Sequence, residues 1–324
     1  MKAILCTHYG GPDELELAEI PAPTAGAGEA VVRVKAAALN FFDTLIIAGK
    51  YQLKPPFPFS PAAEFAGVVE SVGPQVTALT RGDRVFGNVG TGAARERLLA
   101  KPERLIKLPD GLDFDRAAGL TVTYGTTLHA LKDRAQLKSG ETLAVLGAAG
   151  GTGLATIELG KLLGARVIAC ASSAEKLEFA RTHGADEVIN YAQEDLKDAL
   201  RRVTNGSGVD VIYDPVGGPY AEPAVRALAW GGRYLVIGFA AGEIPKIPIN
   251  LVLLRSSALV GVFWGAWAER NPEKHRANMA DIARWCREGK LSAHVHAVYP
   301  LEKTAEAIKA LSNRQVMGKL VLRP

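Results

Sequence analysis

The pattern of apolar and polar residues along this chain changes character twice. In the first third, Ala30-Val-Val-Arg-Val-Lys35 and Gly67-Val-Val-Glu-Ser-Val-Gly73 alternate apolar and polar side chains, the period of half-buried strands. Proline and glycine cluster at 21–28, 55–61 and 82–92, so short strands joined by structured loops are expected there. Apolar runs then appear at Thr142–Leu146, Arg166–Cys170, Glu187–Ile189, Val209–Tyr213, Arg233–Ile237 and Ala258–Val262. They alternate with helical stretches such as Ala174–Arg181 and Ala221–Ala229. That alternation predicts βαβ units, right-handed crossovers and a six-stranded parallel sheet, an α/β arrangement. The tail reads as an amphipathic helix over Pro272–Glu288, a strand over His294–Tyr299, a helix over Glu302–Leu311 and a strand over Lys319–Leu322. The expected division is residues 1–122 with 263–324 as a β-rich domain, and 123–262 as the parallel-sheet domain.

One turn in the parallel-sheet domain carries chemistry. The strand Leu143–Leu146 runs into Gly147, Ala148, Gly150, Gly151, Thr152 and Gly153, and Leu154–Leu163 then has helical spacing. Glycines let the backbone approach a pyrophosphate, and the helix N-terminus offers free N–H groups and the positive end of its dipole. Many buried βα turns need glycine for packing alone, so the following strand matters. It ends at Cys170 and continues Ala171-Ser-Ser-Ala-Glu-Lys176. A site for NAD usually has an acid at this strand tip to hold the ribose 2′-hydroxyl. Here Ser172, Ser173 and Lys176 offer hydroxyl donors and a cation, which suit a 2′-phosphate. The expected cofactor is therefore NADPH. The plainer reading, a serine N-cap and a solvated lysine, is compatible with it, because both use the same helix end.

Composition narrows the classes. The 324 residues are 48% hydrophobic and 22% charged with net charge +4, as in an ordinary globular enzyme. No Lys/Arg block argues for nucleic acid, and no apolar stretch reaches membrane-spanning length. The N-terminus lacks signal-peptide organisation, and Cys6, Cys170 and Cys286 are scattered. A cytoplasmic protein with cysteines as small core residues is expected.

Five segments, Asn40-Phe-Phe-Asp43, Pro61-Ala-Ala-Glu-Phe-Ala-Gly-Val-Val69, Gly147–Gly153, Ile189-Asn-Tyr191 and Gly318-Lys-Leu-Val-Leu322, give the chain a resemblance to the medium-chain dehydrogenase/reductase superfamily over nearly its whole length. Within it the chain is similar to the zinc-free NADPH:quinone oxidoreductases. The resemblance implies a Rossmann domain, a GroES-like catalytic domain and a homodimer. Two departures stand out: Thr152 where the family usually has Val, and Leu45, Ile46 and Ile47 where a second Tyr often stands. The latter predict a greasier pocket.

Zinc-dependent relatives place Cys where Asn40 stands and His where Ala63 stands, and they carry a four-cysteine lobe near 90–110. No Cys lies between Cys6 and Cys170, so the three ligands of a catalytic zinc cannot be assembled there. Alcohol oxidation is disfavoured, and acceptors that take hydride readily are favoured: a quinone first, an α,β-unsaturated carbonyl (enone, alkenal or enoyl thioester) second. A non-catalytic NADPH-binding protein is the third reading. A single dinucleotide motif argues against a flavin.

Asn40 is the first candidate to orient an acceptor oxygen, against a role as a turn residue. Tyr51 is the second, against plain apolar lining. Asp43 is expected to be a buried, hydrogen-bonded turn acid. By resemblance, Thr126 faces the nicotinamide carboxamide, Tyr191 helps hold the 2′-phosphate, and Phe239 and Phe263 lie in loops closing the nicotinamide end. Arg314 matches a cofactor-binding arginine, against a solvated helix-end charge. The apolar strand Ala258–Val262 should be the sheet edge through which two copies pair, unless Trp264–Trp267 covers it.

Overall fold

A computed structural model describes all residues from Met1 to Pro324, and the chain divides into two units, Met1–Val122 with Pro272–Pro324, and Thr123–Asn271. The first contributes β1 (Lys2–Leu5), β2 (Glu16–Glu19), β3 (Ala30–Leu39), β4 (Glu64–Val72), β5 (Arg84–Asn88), β6 (Arg97–Ala100) and β7 (Leu105–Lys107). The second holds β8 (Thr142–Leu146), β9 (Arg166–Ala171), β10 (Glu187–Asn190), β11 (Val209–Asp214), β12 (Leu228–Val236) and β13 (Ala258–Gly261). The tail returns β14 (Val295–Pro300) and β15 (Lys319–Arg323) to the first unit.

In the first unit one sheet runs β14-β15-β3-β4-β5-β7, with β6 also on β3, and β1 and β2 form a separate hairpin. β3 outlasts its alternating stretch by four residues. Ala36, Ala37, Ala38 and Leu39 are buried because β4 pairs on one side of this segment and β15 on the other. Residues on such a doubly flanked, covered strand end need be only small and apolar. Side chains such as Val32, Leu39, Phe65, Val85 and Leu320 share one core.

The second unit has six strands in the order β10-β9-β8-β11-β12-β13, every pair parallel. The order reverses direction between β8 and β11, where ligands of such sheets bind beyond the strand C-termini. Two boundaries differ from expectation. The helix expected over Ala221–Ala229 stops at Arg226, because Leu228 pairs with Val209 and starts β12 early. Residues 263–271, expected with the β-rich domain, belong to the second unit, where the Trp267 ring stacks 4.0 Å from that of His129. Trp264–Trp267 therefore packs inward, and the β13 edge stays exposed at Leu259. No helix is long and apolar enough to cross a membrane.

Candidate functional site

In the second unit, β8 leads into the glycine turn and then the helix Gly151–Leu162. Gly147 has φ +60, and a Cβ there would lie 2.9 Å from the Val216 side chain. At Gly153 a Cβ would sit 2.3 Å from the Gly147 carbonyl oxygen, so only glycine lets the helix seat on the turn. Ala148 N–H donates to Cys170 O (3.1 Å) and ties the turn to β9. The N–H groups of Gly151, Thr152 and Gly153 fall in the first helical turn, which lacks intrahelical acceptors for them.

The tip of β9 gathers the other expected cofactor groups. Ser173 caps the helix Ala174–Thr182, its Oγ accepting Lys176 N–H at 3.4 Å, while Ser172 is exposed. Tyr191 N–H donates to Ala171 O (3.2 Å), and its ring packs 4.3 Å from that of Tyr220. Ser172, Ser173, Lys176 and Tyr191 thus surround one strand end, and the first acid after it is the exposed Glu175. Thr126 is the one side chain between Thr121 and Ala130 that is not buried. Phe239 lies against Gly217 in a loop whose Ala240 and Ala241 N–H groups donate to Pro215 O and Val216 O, and Phe263 is exposed after β13. Arg314 belongs to the first unit, exposed at φ +56 just past the helix Thr304–Ser312, apart in sequence and unit from the other cofactor candidates.

Two buried groups support this end and escaped the sequence reading. Asp214 at the tip of β11 accepts N–H bonds from Val216 (2.6 Å) and Gly217 (2.9 Å) on one oxygen and the Tyr234 hydroxyl on the other. Burial pushes its carboxyl above the usual range despite those bonds. It thereby shapes the loop that presses Val216 against Gly147. Burial also pushes the Tyr213 hydroxyl up to about 12; it bonds Thr127 Oγ1 (3.0 Å).

The first unit places Asn40 at the end of β3, as N-cap of the helix Phe41–Ile47. Its side chain makes no cap bond. Nδ2 donates to Glu64 Oε1 (2.9 Å), and Oδ1 accepts from Lys319 Nζ (2.7 Å). Lys319 also donates to Leu39 O (2.9 Å) and to Glu64 Oε1 (2.8 Å). The second oxygen of Glu64 accepts Val122 N–H (2.7 Å) in the first turn of the helix Leu120–Leu128. Glu64 and Lys319 are an ion pair whose side chains are 0% and 5% exposed. Asp43 is buried beside them, as expected, with its oxygens on Asn40 N–H (2.8 Å) and Ala62 N–H (3.0 Å). Burial raises its carboxyl to about 7.

Tyr51 is half-buried, its ring stacked 5.6 Å from Phe42, and burial, then the charge of Asp43, raise its hydroxyl. The charge of the same buried acid thus reaches both candidate acceptor residues. Of the apolar trio in this helix, Ile46 and Ile47 are core residues and only Leu45 stays partly accessible, so they do not grease a pocket together. The surroundings do not suit zinc: Ala63 has no donor, and the Lys319 ammonium fills the space between Asn40 and Glu64. Lys319 and Glu64 were visible only as members of quoted motifs, with no local signal of their pairing.

Two family models match the chain: the alcohol dehydrogenase GroES-like domain over residues 26–110 and the zinc-binding dehydrogenase over residues 151–281. Quinone oxidoreductase-like protein 2 of Rattus norvegicus is 37% identical over 99% of this chain and 91% of its own length. A quinone oxidoreductase of Pseudomonas aeruginosa is 34% identical over 100% of this chain and 99% of its own. Among solved structures, Escherichia coli quinone oxidoreductase complexed with NADPH superposes with a TM-score of 0.93 at 28% identity, covering 100% of both chains.

Proposed function

The chain belongs to the quinone oxidoreductases of the medium-chain dehydrogenase/reductase superfamily, and on that premise we propose that it reduces a quinone with NADPH, without metal or flavin. The observation that carries the cofactor choice is the tip of β9, where Ser172, Ser173, Lys176 and Tyr191 converge and no acid stands. Lys176 and the serine hydroxyls take the 2′-phosphate, and the first turn of Gly151–Leu162 takes the pyrophosphate. Thr126, Phe239, Phe263 and Arg314 serve the rest of the cofactor.

When bound, NADPH would supply a hydride to the acceptor. Asn40 and Tyr51 orient the acceptor's oxygen by hydrogen bonds, and the quinol oxygen takes its proton from water. A quinone gains two electrons and two protons overall and leaves as the hydroquinone. α,β-Unsaturated carbonyls present the same oxygen to the same donors, so they form the second substrate class. We also propose a homodimer through the β13 edge: Leu259, with Ile249, Leu253 and Leu254 just before it, leaves an apolar surface exposed.

The test is an oxidation screen of NADPH and NADH against quinones, enones and enoyl thioesters with chelator present. NADPH-dependent quinone turnover by a colourless protein is expected. Turnover only with NADH, or flavin absorbance in the pure protein, would refute the reading.

A further inference from the structure

We infer that Lys319 is a positioning residue for the proposed reaction: with Glu64 it locks the Asn40 amide in one orientation and strengthens its remaining N–H as a donor to the acceptor oxygen. The inference rests on the acceptor role of Asn40 proposed above.

An asparagine amide can ordinarily flip, because its oxygen and nitrogen differ little in shape. Here charge forbids it. Lys319 Nζ, which only donates, lies 2.7 Å from Oδ1, and the carboxylate Oε1 of Glu64 lies 2.9 Å from Nδ2. A flip would set NH2 against an ammonium and an oxygen against a carboxylate. The clamp is itself fixed. The three ammonium protons of Lys319 meet three acceptors, Leu39 O, Asn40 Oδ1 and Glu64 Oε1. A Cβ on Gly119 would approach its stem to 3.1 Å, so the lysine keeps this seat only because position 119 is a glycine. Asp43 holds the Asn40 backbone from the other side at 2.8 Å.

One Nδ2 hydrogen is used on Glu64, and the second is left. A cation on an amide oxygen draws electron density from its nitrogen, and buried hydrogen-bond chains polarise one another in this way. The free N–H is thus aimed and made more acidic before any acceptor arrives, which is preorganisation of the kind that stabilises a developing oxyanion. If Lys319 merely held strands together, its loss would affect the protein equally with or without the Asn40 amide.

A double-mutant cycle separates the two. The pair Lys319→Met with Glu64→Gln removes both charges together, so no buried ion is stranded. In the otherwise native protein we expect kcat/KM for quinone to fall about tenfold to a hundredfold, chiefly in kcat, with the Kd for NADPH within about twofold. In an Asn40→Ala background the same pair should change kcat/KM by no more than about twofold. Equal losses in both backgrounds would overturn the inference in favour of a scaffold role. Full activity of Asn40→Ala alone would instead overturn the acceptor role of Asn40, and the inference with it. A readout independent of turnover is the Asn40 side-chain amide resonance, which should move and exchange faster with solvent in the paired variant; an unmoved resonance would also overturn it. Should the pair fail to fold, Lys319→Arg keeps a cation beside Glu64, so no ion is stranded, and is expected to show a smaller change in the same resonance; no change would count against the inference.

Discussion

The glycine turn of the second unit and the charged cluster of the first do comparable work by opposite means. Around Gly147–Gly153 the functional groups are backbone N–H donors, and what matters is the absence of side chains. Around Asn40 the functional groups are side chains, held by two buried carboxyl groups and a buried ammonium. The first arrangement is made from seven consecutive residues. The second assembles residues 40, 43, 64 and 319. A site built from the backbone tolerates neighbours of many kinds but no Cβ at its contact points. A site built from buried charges tolerates little change in any member, because each partner left behind is an unpaired ion.

That contrast can be broken most forcefully at Lys319. The single change Lys319→Met strands the Glu64 carboxylate in the core, and denaturation should show a loss of about 3–5 kcal/mol. A loss under about 1 kcal/mol would mean that the Glu64 carboxylate reaches water. At the tip of β9, next to the glycine turn, Lys176→Ala should weaken NADPH by about 1–3 kcal/mol, as for a charge-assisted hydrogen bond, and leave NADH nearly unchanged. Titrations showing equal losses for the two cofactors would remove the 2′-phosphate from that strand tip.

A charge at Val260 on the exposed β13 edge should split the proposed dimer, leaving a 34.4 kDa species in sedimentation with the NADPH affinity intact. Wild-type protein that already sediments at that mass would end the dimer proposal. A pH test of the same cluster concerns Asp43, whose carboxyl rises from 3.8 to about 7 on burial. A raised folded-state value means the folded protein holds this proton more tightly. Its stabilising contribution is therefore complete below 3.8 and is lost as pH climbs through 7. Relative to Asp43→Asn, the wild type should lose stability over that interval, by urea denaturation at several pH values; a flat difference would show that Asp43 is ionised throughout.

Much of the second unit could be read from the residues in order. Strands Thr142–Leu146 and Arg166–Ala171 and the glycine turn are encoded within windows of about a dozen residues, where strand period, glycine freedom and helix spacing are all local properties. The lack of an acid after Cys170 is equally local. Boundaries failed where a neighbour decided them: Ala227–Ala229 has helical composition, yet Leu228 is drawn into β12 by Val209.

The first unit's cluster lay beyond such windows. Asn40, Glu64 and Lys319 each sit in a recognisable segment, but nothing within any segment says that they meet. They meet because β15 pairs with β3 at Leu320 and Leu39, while β4 pairs with β3 at Glu64 and Ala38. Sequence alone thus determined the elements and the cofactor turn, whose energetics are set by neighbours along the chain. Strand order and register determined the charged cluster, because a buried ammonium is stable only where acceptors from 255 to 280 residues away close around it.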